Sequence, residues 1–198
     1  MTDAASVCFL LPGTLCDERL FDPMQSFWPS SGSHTRHLVA SLHGLTPDVT
    51  PWLQKQLRAL PDQFNVMGFS LGVILALRMI ELAPERVQCL VLVAGNASAG
   101  TAAHRERART QMQIWQREGP QTLAQQMIDQ ASPQASQNPM VRQAVLQMAN
   151  DTPEAAFIAQ SEVNVSRPDG LNTLSNWHGP LLLAVSYTHL TLPTILLV

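Results

Sequence analysis

A short apolar strand-like stretch, residues 63–67, runs into Gly68-Phe69-Ser70-Leu71-Gly72, and an apolar-rich segment continues to residue 82. Gly-x-Ser-x-Gly between a strand and a helix demands a sharp turn. Such a turn pushes the hydroxyl of Ser70 out above a sheet, where a base and a substrate can reach it. Gly68 and Gly72 flank it because a side chain at either place would collide with the neighbouring strand or helix. The turn also sets the start of the following helix beneath the serine, so the Leu71 N–H is aimed at negative charge developing there. Chance alone gives about 0.035 such pentapeptides in a chain of this composition, so the flanking elements have to carry the argument.

Those flanks repeat along the chain. Residues 6–11 (SVCFLL) form a continuous apolar run stopped by Pro12-Gly13, the pattern of a buried parallel strand. Residues 17–27 have helical spacing at Leu20, Phe21 and Met24, with Pro23 limiting them to short pieces. A second strand is expected over 35–40. A helix follows to residue 60, capped by Asp48 or Thr50, with Pro51 at its first position. Trp52, Leu53, Gln56 and Leu57 make its apolar side. Residues 71–82 are apolar almost all round, hence a buried helix, and 87–94 (VQCLVLVA) is the most strand-like run. Strand, helix, strand, helix, strand in this order argues for an α/β fold with a mainly parallel, doubly wound sheet.

From residue 101 to 166 the strand signals stop. Helices are expected over 101–118, 121–130, 139–150 and 153–163, broken at Gly119-Pro120, Ser132-Pro133, Asn138-Pro139 and Thr152-Pro153. This block either forms a lid or pocket wall over one end of the sheet or simply packs as a helical bundle. Met112, Met127, Met140 and Met148 suit a flexible pocket or, equally, core packing. A short helix or link over 171–177 and a further buried strand over 181–185 return the chain to the sheet. The expected organisation is therefore 1–100 and 167–185 for the sheet layer, 101–166 for the helical block, and 186–198 as a tail.

Composition narrows the function classes. Apolar residues make up 45% of the 198, ample for a core, and the net charge of −3 gives no reason to expect nucleic acid or an anionic membrane surface. No run of 18 apolar residues exists, so no membrane span is expected. Cys8, Cys16 and Cys89 lack CxxC spacing, which argues against a disulfide framework or zinc site and fits a reducing compartment; no basic residue precedes the first apolar run, so a cytoplasmic location is expected.

Three stretches together resemble the α/β-hydrolase superfamily, and within it the small carboxylesterase-like members with a helical cap. Leu10-Leu11-Pro12-Gly13-Thr14 resembles the family's strand and oxyanion loop, with proline where histidine is usual. Gly68-Phe69-Ser70-Leu71-Gly72 resembles the nucleophile elbow. Pro84-Glu85-Arg86-Val87 resembles the approach to the next strand, and the helical block falls where the family carries its cap. The resemblance implies Ser70 as nucleophile, with Thr14 and Leu71 N–H groups as the oxyanion hole. It implies attack on a small-molecule acyl ester or thioester through an acyl-enzyme, with no metal or cofactor. Two other expectations stay open: a non-catalytic ligand-binding protein on this scaffold, and C–C hydrolysis or cofactor-free haloperoxidase chemistry.

In that family the acid follows the strand expected at 181–185 and a histidine comes later. No carboxylate follows Asp169, and residues 186–194 (SYTHLTLPT) resemble a translated sequencing adapter. The expectation is that the last strand, the last helix, the triad acid and the histidine are not present in this chain, which would then be an inactive fragment. His189 has no acid to orient it, His178 reads as a loop residue, and Asp169 could serve only as a migrated acid. His34, His37 and His43 show no metal-ligand spacing. His104 reads as a helix start, and Cys16, beside the Pro12-Gly13 turn, as a small buried filler.

Overall fold

The computed structural model describes residues 6–27 and 35–184. Among the described residues, five parallel strands form one sheet in the order β2-β1-β3-β4-β5: β1 (Val7–Leu11), β2 (Arg36–Val39), β3 (Phe64–Phe69), β4 (Val87–Val93) and β5 (Leu181–Ala184). The chain moves outward from β1 to one edge, crosses back to β3 and continues to the other edge. That reversal places the C-terminal ends of β1 and β3 at a switch point, the usual crevice of an open α/β sheet.

The helices are α1 (Thr50–Ala59), α2 (Leu71–Leu82), α3 (Ala102–Glu118), α4 (Pro120–Ala131), α5 (Pro133–Gln137), α6 (Pro139–Asp151), α7 (Glu154–Ser166) and α8 (Leu171–Ser175). Residues Glu18–Phe27 form a 3-10 segment with Pro23 inside it. Helix α2 occupies the bounds expected from its pattern. It lies on β1, β3 and β4, and α1, α7 and α8 pack on it in turn, which is why it is apolar all round. The main core holds Phe9, Leu11, Leu53, Phe64, Val66, Leu71, Leu75, Met79 and Leu90. Arg86 closes the opposite end of the sheet: its Nη2 donates to the carbonyls of Leu57, Leu60 and Pro61 at 3.0, 2.9 and 2.8 Å, over the Phe64 ring.

A second apolar cluster belongs to the helical block: Trp115, Leu123, Ala124, Ala149 and Phe157, together with Leu15 from the loop after β1. The Trp115 and Phe157 rings stack with centroids 4.5 Å apart. Met112 and Met127 pack against this cluster, Met148 is buried, and Met140 is 81% exposed. Three methionines of the series thus pack, and the fourth faces outward.

Two expectations need correction. The strand at β5 is exposed, not buried: Leu181, Leu182 and Leu183 are 41%, 59% and 52% accessible, because β5 is an edge strand that pairs only with β4 among the described residues. The helix α1 takes Val49 as its N-cap rather than Asp48 or Thr50. Asp48 still satisfies the start, since its Oδ1 accepts the Thr50 N–H at 3.0 Å. A short helix, α5, also lies where a break was expected, with Ser132 capping it. Residues 185–198, with the expected tail, His189 and the last residue of the expected strand, lie outside the described residues, as does His34.

Candidate active site

Among the described residues, three non-glycine residues have positive φ: Leu15 (60°), Ser70 (53°) and Ala94 (50°). Each sits just past the C-terminal end of a strand: Leu15 after β1, Ser70 after β3 and Ala94 after β4. Holding an L-residue there costs about 1–3 kcal/mol each, and such strain gathers where geometry is imposed by surrounding structure. Ser70 has ψ −110° and stands at the N-terminus of α2. Its N–H donates to Val93 O at 2.9 Å and its carbonyl accepts the Val73 N–H at 3.0 Å, so strand and helix fix the turn from both sides.

The two glycines are steric requirements. A Cβ on Gly68 would lie 2.4 Å from Gly72 O, and one on Gly72 would lie 2.0 Å from Leu11 O. The first contact is with the helix and the second with the neighbouring strand β1, as the spacing predicts. Both are backbone atoms, which cannot rotate away.

The loop after β1 reaches the serine. A Cβ on Gly13 would lie 3.3 Å from Ser70 Cβ, so the Pro12–Thr14 turn passes directly beside the nucleophile candidate. Leu71, fully buried, is the first residue of α2, so its N–H has no acceptor within the helix. The predicted residues Gly68, Ser70, Leu71, Gly72 and Thr14 therefore meet at the ends of β1 and β3.

Thr14 and Leu15 are held from a distance. Asn164 Nδ2 of α7 donates to Thr14 Oγ1 at 3.0 Å, and the Leu15 N–H donates to Gln160 Oε1 at 2.9 Å. Gln160 is 1% exposed. The Asp17 N–H points to Met148 Sδ, and Arg19 pairs with Asp17 and, at 2.7 Å, with Asp151 at the end of α6. Burial alone would raise the Asp17 carboxyl; the hydrogen bonds and charge of Arg19 outweigh it and hold the group below its ordinary value. The helical block thus grips the loop that flanks Ser70. Gln160 and Asn164 escaped the sequence reading, although a Gln one turn after Ala156 and Phe157 and one turn before Val163 is a polar residue on an apolar stripe.

Other candidates fall elsewhere. Burial, and then the charge of Asp17, push the Cys16 thiol up to about 12, while its Sγ donates to Thr14 O at 3.4 Å; it is a protonated filler. His104 is half-buried and serves the α3 capping box with Thr101. Burial first, then Arg167 and Arg107, lowers its pKa. Arg167, buried, donates through Nε to Ser98 O at 2.7 Å and through Nη1 to Asn164 O at 2.8 Å. Asp169 is exposed and accepts the Leu171 N–H at 2.9 Å; His43 and His178 are exposed, and His37 lies on β2. Among the described residues no histidine or carboxylate is hydrogen-bonded to Ser70 Oγ, and no group of three His, Cys, Asp or Glu is placed to hold a metal ion. Among them, too, no helix is long and apolar enough to cross a membrane. A groove of about 350 Å³ between α4 and α6, lined by Gln121, Arg142, Leu146 and Asn150, does not include the elbow or the loop beside it.

A family model described as serine hydrolase matches residues 22–175. No curated protein sequence matches. Solved structures similar in fold include a thermophilic esterase from Thermogutta terrifontis, at 21% identity and TM-score 0.71, covering 91% of this chain and 71% of that one. A hydrolase from Pseudomonas aeruginosa PA01 is similar at 23% identity and TM-score 0.72, covering 93% and 72%. An enol-lactonase from Burkholderia xenovorans LB400 is similar at 16% identity and TM-score 0.73, covering 90% and 72%. These likenesses establish a shared sheet-and-helix architecture.

Proposed function

The chain belongs to the serine hydrolase family, within the α/β-hydrolase superfamily, and from that premise we propose that Ser70 cleaves carboxylic esters or thioesters through an acyl-enzyme. The observation that carries the reading is the strained Ser70 at the β3–α2 turn with the Gly13 loop against it. Ser70 Oγ attacks the substrate carbonyl carbon, and its proton passes to a general base. The carbonyl electron pair moves to oxygen, where the Thr14 and Leu71 N–H groups receive it. Each such donor contributes about 2.7–4 kcal/mol in comparable sites. Collapse expels the alcohol or thiol, and water then releases the acyl group. Nothing in this sequence of steps calls for a metal or cofactor.

The helical block over 102–166 acts in this reading as a cap that shapes the acyl or alcohol side of the site. The elbow comes with no base among the described residues, and no carboxylate follows Asp169 in the sequence. The 198-residue chain is therefore expected to turn over esters about 10²–10⁴-fold more slowly than a site with its proton acceptor in place.

A fluorophosphonate probe tests the nucleophile directly. Peptide mass spectrometry should place the adduct on Ser70, and Ser70→Ala should abolish it. Failure of a folded protein to label at Ser70 over long incubation, with imidazole added to stand in for the missing proton acceptor, would sink the proposal and leave the ligand-binding reading standing. An acyl group trapped on Ser70 from an aryl ester would separate ester cleavage from the haloperoxidase and C–C alternatives.

A further inference from the structure

We propose that Gln160 is a positioning residue: from α7 it fixes the direction of the Thr14 N–H by holding the next peptide unit in the loop. The inference rests on Thr14 being an oxyanion donor and adds what keeps it one.

Three observations converge. The Leu15 backbone is in the left-handed region at φ 60°, which an L-leucine does not adopt unaided. Its side chain is 4% exposed and packs into the cluster of Trp115, Leu123 and Phe157. Its N–H, removed from water, finds its acceptor 145 residues away, on Gln160 Oε1 at 2.9 Å. A glutamine amide 1% exposed inside an apolar helix face is costly without a matched partner, and this N–H is a match.

The geometry explains why the tether bears on catalysis. The peptide plane joining Thr14 to Leu15 carries the Leu15 N–H. Fixing that plane fixes ψ of Thr14, and with the Gly13 turn held by the Cys16 N–H to Gly13 O bond at 3.1 Å, the Thr14 N–H has little freedom left. Asn164, one helical turn beyond Gln160, holds the Thr14 side chain at 3.0 Å. Both bonds come from one helix at i and i+4, so α7 locates residues 14 and 15 as a unit. A shift of the block would thus be felt at Ser70 without contact between α7 and the substrate.

The test is the rate of Ser70 phosphonylation by a fluorophosphonate, resolved into a maximal rate and a half-saturating concentration, with amide hydrogen exchange at Leu15 read in parallel. Gln160→Met keeps the volume and removes the acceptor. It should lower the maximal rate about 10–100-fold, the loss expected when an oxyanion donor is misplaced by a fraction of an ångström to 1 Å, with half-saturation unchanged within about threefold. Leu15 exchange should accelerate by more than the change in global stability accounts for. Gln160→Glu retains an acceptor oxygen in either protonation state and should recover to within about threefold of wild type. Glu162→Gln, on the exposed side of α7, should label normally.

A folded Gln160→Met protein that labels at the wild-type rate overturns the proposal, as does a loss confined to half-saturation or a Gln160→Glu variant equally slow. If Gln160→Met does not fold, Asn164→Leu decides: a slower maximal rate at unchanged half-saturation supports the tether, and an unchanged rate refutes it. All labelling is run with imidazole added as the proton acceptor, and wild-type protein that fails to label under those conditions refutes the catalytic reading. Leu15 exchange that is fast in wild type refutes the tether, so the two failures are distinct.

Discussion

Replacing Gly72 by alanine puts a methyl group where the fold has no room. The added Cβ would lie 2.0 Å from Leu11 O, 2.7 Å from Leu11 C and 3.0 Å from Leu11 Cβ. Contacts under 3.0 Å require something to shift, so the start of α2 and the end of β1 must separate by about 1 Å. Leu11 and Leu71 are both fully buried, so that movement opens the core between β1 and α2. Overpacking of this kind costs about 1–3 kcal/mol, and contact with rigid backbone places Gly72→Ala at or above the upper end. A 1 Å displacement between Ser70 and the Pro12–Thr14 loop should slow Ser70 labelling by about 10²-fold. Urea unfolding supplies the first number and fluorophosphonate kinetics the second. Gly44→Ala is the control: nothing lies within 4 Å of its added Cβ, and it should be neutral or stabilising by up to about 1 kcal/mol. An unfolding free energy for Gly72→Ala within about 0.5 kcal/mol of wild type, the scatter of ordinary surface changes, would refute the reasoning that the glycine exists to admit the strand.

Two further outcomes follow from the helical block. Phe157→Ala, at a fully buried ring stacked on Trp115, should cost about 3–5 kcal/mol in denaturant unfolding. Asp17→Asn should destabilise the protein at neutral pH by about 1–2 kcal/mol, because Asp17 accepts from both the Arg19 backbone and its guanidinium. The sign with pH is fixed by the lowered native pKa: the carboxylate's contribution is whole above the unfolded value near 3.8 and is lost as pH falls through the lower native value. The gap in melting temperature between the two proteins should therefore close below pH 3.8 and stay open above it.

The sequence made the sheet layer legible because its signals are local. Helix α2 matched its pattern to the residue, and β1 and β4 each lost only one end residue, since continuous apolar runs bounded by Pro, Gly or a turn leave little choice. The sharp β3–α2 turn was legible for the same reason: Gly68, Ser70 and Gly72 encode a turn within five residues. What was hidden depends on partners far along the chain. Nothing near Gln160 in sequence announces that its amide meets Leu15, and nothing near Leu181 shows that β5 is the outermost strand among the described residues. The α1 start was misjudged by a residue because Asp48 caps from just outside a first turn that already includes Val49.

The grip of the helical block on residues 14–19 also dictates when the site can come into being. Leu15 meets Gln160, Thr14 meets Asn164 and Arg19 meets Asp151 across separations of 145, 150 and 132 residues. Contacts that span so much chain close late, after the local β3–α2–β4 unit has formed, because the intervening loop must first surrender its entropy. During synthesis the elbow emerges by residue 72, yet the strand that flanks it gains its ordered loop only when α7 has left the ribosome. A nascent chain halted before α7 would hold the β2-β1-β3-β4 part of the sheet and a strained serine with a slack neighbour. The ordered loop beside Ser70 is then gained in one step, when α7 docks, and is not built up gradually along the chain.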